Sequence, residues 1–230
     1  MEIENIKQLL DSKVRLYNNV DFINADPISV PHRFTKLQDI EIAGFFAAIF
    51  AWGNRTTIIN KTLELMALMD NQPHNFILNA SDSDLQQLLK FKHRTFQADD
   101  LFYFISFFKW YYQRHESLET AFSKGILAGD TNIENGLKGF RDLFFSLPHL
   151  SRTKKHVSSP ITGSSCKRIN MYLRWMVRKD EHGVDFGLWP TINTNLLVCP
   201  LDVHVGRVAR RLGLLRRPKE VWQAGTGLTE

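Results

Sequence analysis

Residues 101–112, LFYFISFFKWYY, are apolar on almost every side of a helix. A surface helix carries one apolar stripe, whereas a segment apolar around its circumference must be enclosed by other elements. This run, like GFFAAIFAWG at 44–53, is too short to span a bilayer. Both belong to the interior of a globular, mostly helical chain, and either Asp99 or Asp100 is the expected cap of the first. Of the 230 residues 43% are hydrophobic and 17 are phenylalanine, which is ample for such a core and excludes a disordered chain.

The rest of the pattern is helical too. Apolar residues repeat at helical spacing from Ile3 to Tyr17. DPISVPHRF follows as an extended link, because residues before proline avoid the helical region. From Asp39 to Met69 one or two helices are expected, with Asp39 as N-cap and Ile40, Ala43, Phe46 and Ala47 on one face. Gly53 and Asn54 are the residues that break this stretch. DSDLQQLLKF is a short helix capped by Ser81 or Asp82, and LETAFSKGIL and IENGLKGFRDLFFSL are amphipathic helices. Strand-like alternation is scarce; NLLVCPLD is the best apolar run, and Pro200 argues against pairing it in a sheet. The fold class is all-α.

Charge divides the chain unevenly. Residues 1–149 hold 15 basic and 18 acidic side chains, whereas 150–220 hold 14 basic and 5 acidic. A basic excess confined to one segment suits a polyanion, most simply nucleic acid; the plainer alternative is a solvated surface. Two cysteines are too few for a disulfide framework or an iron–sulfur cluster, and suit a reducing interior. The acidic, amphipathic MEIENIKQLL does not fit a signal peptide, so a cytoplasmic location is expected.

Two positions in the basic segment combine local structure with chemistry. LSRTKKHVSSPITGSS is a loop and turn that leads into a helix, SCKRINMYLRWMVRKD. Ile169, Tyr172, Leu173 and Met176 form its core face; Lys167, Met171, Arg174 and Arg178 form another. Lys167 lies in the first turn, where the helix dipole and Arg168 should both lower its pKa. A lysine of lowered pKa suits nucleophilic catalysis, although a surface lysine at an imperfect helix start is the plainer explanation. Further on, PLDVHVGRVARRLG places Asp202 as a helix cap, with Val205, Val208, Ala209 and Leu212 inward, His204, Arg207 and Arg211 outward, and Gly213 at C′. A capping carboxylate keeps a lone pair for a second task.

ITGSSCKRINMYL and LDVHVGRVARRLG resemble the lysine and aspartate motifs of the helix–hairpin–helix DNA glycosylase superfamily, nearest to its archaeal oxidised-guanine branch. IAGFFAAIFAWGNRTTIINKTLELM is similar to its early helix pair. The chain also looks like a member of an uncharacterised bacterial family that shares the motifs CKRxNMxLRWMVR and PLDxHVxRxARxLGL. The resemblance implies two helical lobes: 1–38 an N-terminal helix and Pro-rich link, 39–150 one lobe, and 151–230 the hairpin and aspartate-helix lobe. The superfamily continues beyond the point where VWQAGTGLTE ends, which implies a truncated C-terminal part.

It also implies a DNA base-excision repair glycosylase, with or without lyase activity, in which Lys167 attacks the sugar and Asp202 assists. Gly163, Ser164 and Ser165 of the hairpin would hold a phosphate, with Arg168, Arg174, His204, Arg207 and Arg211 as further nucleic-acid contacts. Gly53 and Asn54 stand where the superfamily often has a glutamine after its first long helix, and Asn54 is the residue expected at the substrate pocket. Trp52, Trp110, Trp175 and Trp189 read first as core; Trp52 and Trp189 adjoin helix breakers and are the two expected at the pocket wall. The histidines show no spacing that selects a metal, and an alkali ion bound by the hairpin's main chain is implied by resemblance only. The implied partner is damaged duplex DNA, met by a monomer that needs no membrane and no cofactor. The alternative is a non-catalytic nucleic-acid-binding protein on the same scaffold.

Overall fold

The structure, a computed structural model, describes residues 3–229; Met1, Glu2 and Glu230, the outermost residues of the expected 1–38 and 151–230 units, lie outside it. Twelve α-helices are found among the described residues: α1 (Ile3–Tyr17), α2 (Val20–Ile23), α3 (Leu37–Phe50), α4 (Arg55–Leu68), α5 (Pro73–Asn79), α6 (Asp82–Gln87), α7 (Ala98–Tyr112), α8 (Glu119–Ser123), α9 (Glu134–Phe144), α10 (Lys167–Val177), α11 (Val203–Arg211) and α12 (Trp222–Thr229). Short 3-10 turns join several of them, and no β-strand occurs among the described residues. The all-α class follows directly.

The most enclosed element is α3 rather than α7. Every residue from Asp39 to Phe50 is buried, whereas α7 exposes Ser106 and only half-covers Phe102, Lys109 and Trp110. Small side chains explain the difference. A Cβ on Gly44 would meet Met176 Cε at 3.2 Å and Tyr172 Cε2 at 3.3 Å, so α10 approaches α3 more closely than bulkier residues would allow. Phe45, the bulky neighbour, fills the centre, with its ring centroid 5.4 Å from those of Phe108 and Tyr172 and 5.8 Å from that of Phe140. One contiguous apolar cluster runs in sequence from Ile28 to Trp222 and draws on both expected lobes. Leu201, Ala209, Leu215 and Ala224 form a small second cluster beneath α11.

Local capping signals hold at some helix starts and fail at others. Asn54 is the N-cap of α4, accepting Thr57 N–H at 3.2 Å, after Gly53 turns the chain at φ +109. Ser81 caps α6 with Asp84 reaching back. Asp39 does not cap α3, which starts two residues earlier after Lys36; its Oδ1 instead accepts His74 N–H, 2.8 Å away, in the first turn of α5. Neither Asp99 nor Asp100 is the N-cap of α7. Gln97 holds that position, and Asp100 accepts its N–H at 3.0 Å from the third helical residue. In both cases a carboxylate fit for a cap is drawn one turn inward, where a partner from another element completes its bonding.

Burial overturns two further expectations. Val208 is 51% exposed, because Gly206 and Ala209 let α11 pack through its smallest residues. Trp189 is fully buried against Phe122 and Tyr172. Its indole N–H donates to Glu41 Oε1 at 2.8 Å, deep in α3. Glu41 also accepts from Tyr112 Oη, Ser117 Oγ and the Leu118 N–H. Trp189 therefore belongs to a buried polar knot and walls no cleft; its helix-breaking neighbour Pro190 marks a chain turn.

Candidate functional site

The hairpin is built from local backbone chemistry. Pro160–Thr162 forms one 3-10 turn, capped by Ser159, and Gly163 ends it at φ +75 in the left-handed region. Cys166 adopts φ +52, which is uncommon for a residue with a Cβ, and Ser164 Oγ supports it by accepting the Cys166 N–H at 3.1 Å. This second reversal sends the chain into α10 with Lys167 at its first position. Two contacts then fix the hairpin in space. Trp222 N–H of α12 donates to Gly163 O at 3.3 Å, and Ser165 Oγ donates to Leu201 O at 2.9 Å. The second bond ties the residue before Asp202 to the turn before Lys167.

Asp202 is the N-cap of α11. Its Oδ1 accepts the His204 and Val205 N–H groups at 2.9 and 3.0 Å. Lys167 and Asp202 open onto one cleft of about 490 Å³, within the roughly 300–1,000 Å³ usual for small-ligand sites. Trp52, Arg168 and His204 line it as well. Asp26, Arg55 and Met171 complete its polar and sulfur-bearing wall, and sequence reasoning assigned none of these three to it. Asp26 lies in the stretch read only as an extended link, and no local pattern connects it to residues so distant in the chain.

The Lys167 amine is half-buried and its hydrogen-bond neighbour is Met171 Sδ, at 3.4 Å. A thioether is a weak acceptor, so little holds the charged form in place. Burial pushes the Lys167 pKa down, Asp202 and Asp26 pull it back up, and Arg168 and Arg55 lower it again. Desolvation thus leads, where the helix terminus and Arg168 were expected to. Burial also raises the Asp26 pKa, against the Ile28 N–H and the charges of Arg55, Lys167 and Arg174. An amine eased toward its neutral form and a carboxyl eased toward its protonated form therefore share the cleft.

The other expected residues are distributed as follows. Arg168 reaches the cleft but also donates from Nη1 to the Ile49 carbonyl near the end of α3, which anchors α10 to α3. Ser165 uses its hydroxyl proton on Leu201, so it has none to offer a phosphate, whereas Ser164 Oγ acts as acceptor and keeps its proton. Arg174 pairs with the buried Asp185 at 3.2 Å and lines a separate groove beside α1. Arg207 and Arg211 are exposed on α11, and Arg207 sits 3.5 Å from His204 Nδ1. Trp52 is stacked by Arg94, whose guanidinium lies 4.3 Å from the ring centroid and donates to the Trp52 carbonyl. Asn54 is exposed beside the cleft with its side-chain oxygen committed to capping α4. Among the described residues no group of three or more His, Cys, Asp or Glu could hold a metal ion, and no helix is long and apolar enough to cross a membrane.

The family described as "Protein of unknown function (DUF2400)" matches residues 26–230, which takes in the whole cleft and leaves out α1 and α2. No curated protein and no solved structure matches the chain.

Proposed function

Given that the chain belongs to the DUF2400 family, whose description assigns no activity, we propose from the cleft itself that the protein is a DNA base-excision glycosylase acting through Lys167 and Asp202. The observation that carries this is a half-buried lysine amine, bonded only to a thioether, sharing one cleft with a capping aspartate. Such an amine is a nucleophile in waiting. The target sugar carbon is inaccessible in a stacked duplex, so the damaged nucleotide swings out into the cleft, where Trp52 offers a face for a planar base. The amine attacks C1′, and the bond to the base breaks. Asp202 stabilises the positive charge that develops on the sugar. Opening of the sugar at its ring oxygen then yields a Schiff base with Lys167.

Binding follows the same chemistry. Backbone N–H groups at the start of α10 suit a phosphate, as does the Ser164 hydroxyl, whereas the Gly163 N–H is committed to Pro160 O. Arg207 and Arg211, exposed on α11 beside the cleft, extend a cationic strip for the backbone of the strand, and the exposed His204 adds a ring that can hydrogen-bond to it. The hairpin before the lysine helix and the aspartate at the start of a later helix are the two features of the helix–hairpin–helix glycosylases that the chain resembles.

Borohydride reduction traps a Schiff base, which makes the reading testable. The protein is expected to form a covalent adduct with abasic and oxidised-base duplexes, and Lys167→Gln to abolish it while still binding duplex. Absence of an adduct from the wild-type chain on every duplex tried rules the reading out. Salt-sensitive binding without an adduct would then favour the non-catalytic alternative.

A further inference from the structure

We propose that Asp26 is a catalytic residue, the proton donor to the departing base; this assignment rests on the glycosylase reading above. Asp26 reaches the cleft from the 3-10 turn Pro27–Ser29, far in sequence from both Lys167 and Asp202. Its Oδ1 accepts the Ile28 N–H at 3.1 Å, which fixes the carboxyl against the buried Pro27 and Ile28. Its Oδ2 has no hydrogen-bond partner among the described residues. Lys167 bonds to Met171 rather than to either carboxylate, so the two acids and the amine face a common space without closing on one another.

The cleft thus holds two carboxyl groups with different settings. Both side chains are half-buried, but Asp202 Oδ1 accepts two backbone N–H groups at the start of α11, whereas Asp26 accepts one. Burial makes Asp26 hold its proton more firmly than an ordinary aspartate, with the Ile28 N–H and the charges of Arg55, Lys167 and Arg174 opposing. Paired titratable groups in contrasting surroundings divide acid and base work between them.

The step balances with these groups alone. The neutral Lys167 amine forms an N–C1′ bond as the bond from C1′ to the base nitrogen breaks, and the electron pair of that bond leaves with the base. The Asp26 carboxyl gives its proton to the base, which departs neutral. The alkylated amine now carries one proton too many and returns it to the Asp26 carboxylate, restoring the acid. No oxidant, reductant or metal takes part.

Asp26→Asn tests this, because an asparagine oxygen can still cap the Ile28 N–H while having no proton of this acidity to give. Two readouts are compared on the full chain: single-turnover release of oxidised guanine from a duplex, and borohydride trapping on a preformed abasic duplex, which has no base left to protonate. Release is expected to fall by about 100-fold or more relative to trapping, the scale of general acid catalysis. Equal losses in both readouts, or no loss in either, overturn the assignment. A wild-type chain that traps abasic DNA but releases no oxidised guanine overturns it as well and spares the lysine reading; a wild-type chain that traps nothing overturns the glycosylase reading itself.

Discussion

Asp202 carries two loads that substitution can separate. Its carboxylate caps α11 through two N–H groups and also lines the cleft. Asp202→Ala removes both and should lower stability by ~1 kcal/mol. Asp202→Asn keeps an accepting oxygen and should leave the unfolding midpoint within a few tenths of a kcal/mol of wild type, yet it removes the negative charge from the sugar's surroundings. Trapping on oxidised-base duplex, which requires loss of the base, is therefore expected to fall with both variants, and denaturant midpoints with only one. If Asp202→Asn traps as fast as wild type, the residue is a cap and nothing more. At this scale much was open to inspection of the chain: Lys167 at a helix start, Asp202 as a cap, Ser81 as one of two candidate caps, and Gly163 in a turn. Each depends on neighbours a few positions away. Asp26 was not legible, because its proximity to Lys167 depends on the path of the chain between them.

Among elements, the stretch that leads into the hairpin is tied to α7 by a buried histidine. His156, in the 3-10 segment Ser151–His156, places Nε2 3.2 Å from Asp100 Oδ2, and Thr153 Oγ1 donates to Asp100 Oδ1 at 2.8 Å. Arg152 Nη1, 2.9 Å from Asp100 Oδ2, already balances the carboxylate charge. Burial pushes the His156 pKa down from 6.5 to about 4, outweighing Asp100, with Lys155 and Arg168 lowering it further. In the unfolded chain the ring takes its proton near 6.5, but the folded ring refuses it until about 4. This contribution to stability is whole above the first value and drains as pH falls toward the second, at up to about 1.4 kcal/mol per pH unit. His156→Gln should flatten the fall of urea-unfolding free energy across that window; parallel slopes for the two proteins would mean that another group is responsible. Helix boundaries on either side were foreseeable from period and caps, but the partner that draws Asp100 inward comes from another segment, which is why local spacing points to Asp99 or Asp100 as the cap of α7 when Gln97 holds that position.

For the molecule as a whole, the basic excess of residues 150–220 takes two forms. Arg168, Arg174, Arg178 and Arg210 bond to the protein itself, through Ile49, Asp185 and Glu220 among others. Arg207, Arg211, Arg216 and Arg217 are exposed. These exposed arginines, with the exposed Lys154, Lys155, Lys179 and Lys219, are free to neutralise phosphates. Replacing Arg207 and Arg211 together by alanine should reduce the slope of log affinity against log salt by about 2, since each phosphate that a cation no longer neutralises lowers it by about 0.9. An unchanged slope in duplex binding would move the DNA path off α11. Net charge is readable by counting, but its division between structural and available cations requires knowing which carboxylates and carbonyls lie opposite.

Reading along the chain was enough for the helical class, most helix positions, the turn before α10 and the placing of Lys167 and Asp202 at helix starts, because hydrophobic period, capping and tight turns are governed by interactions within about one helical turn. It took the folded chain to show that Trp189 is sealed against Glu41, that α3 is the innermost helix, and that Asp26 joins Lys167 and Asp202 in one cleft. Those outcomes depend on which surfaces meet. Close packing between distant segments sets desolvation and proximity, and neither is encoded in local spacing.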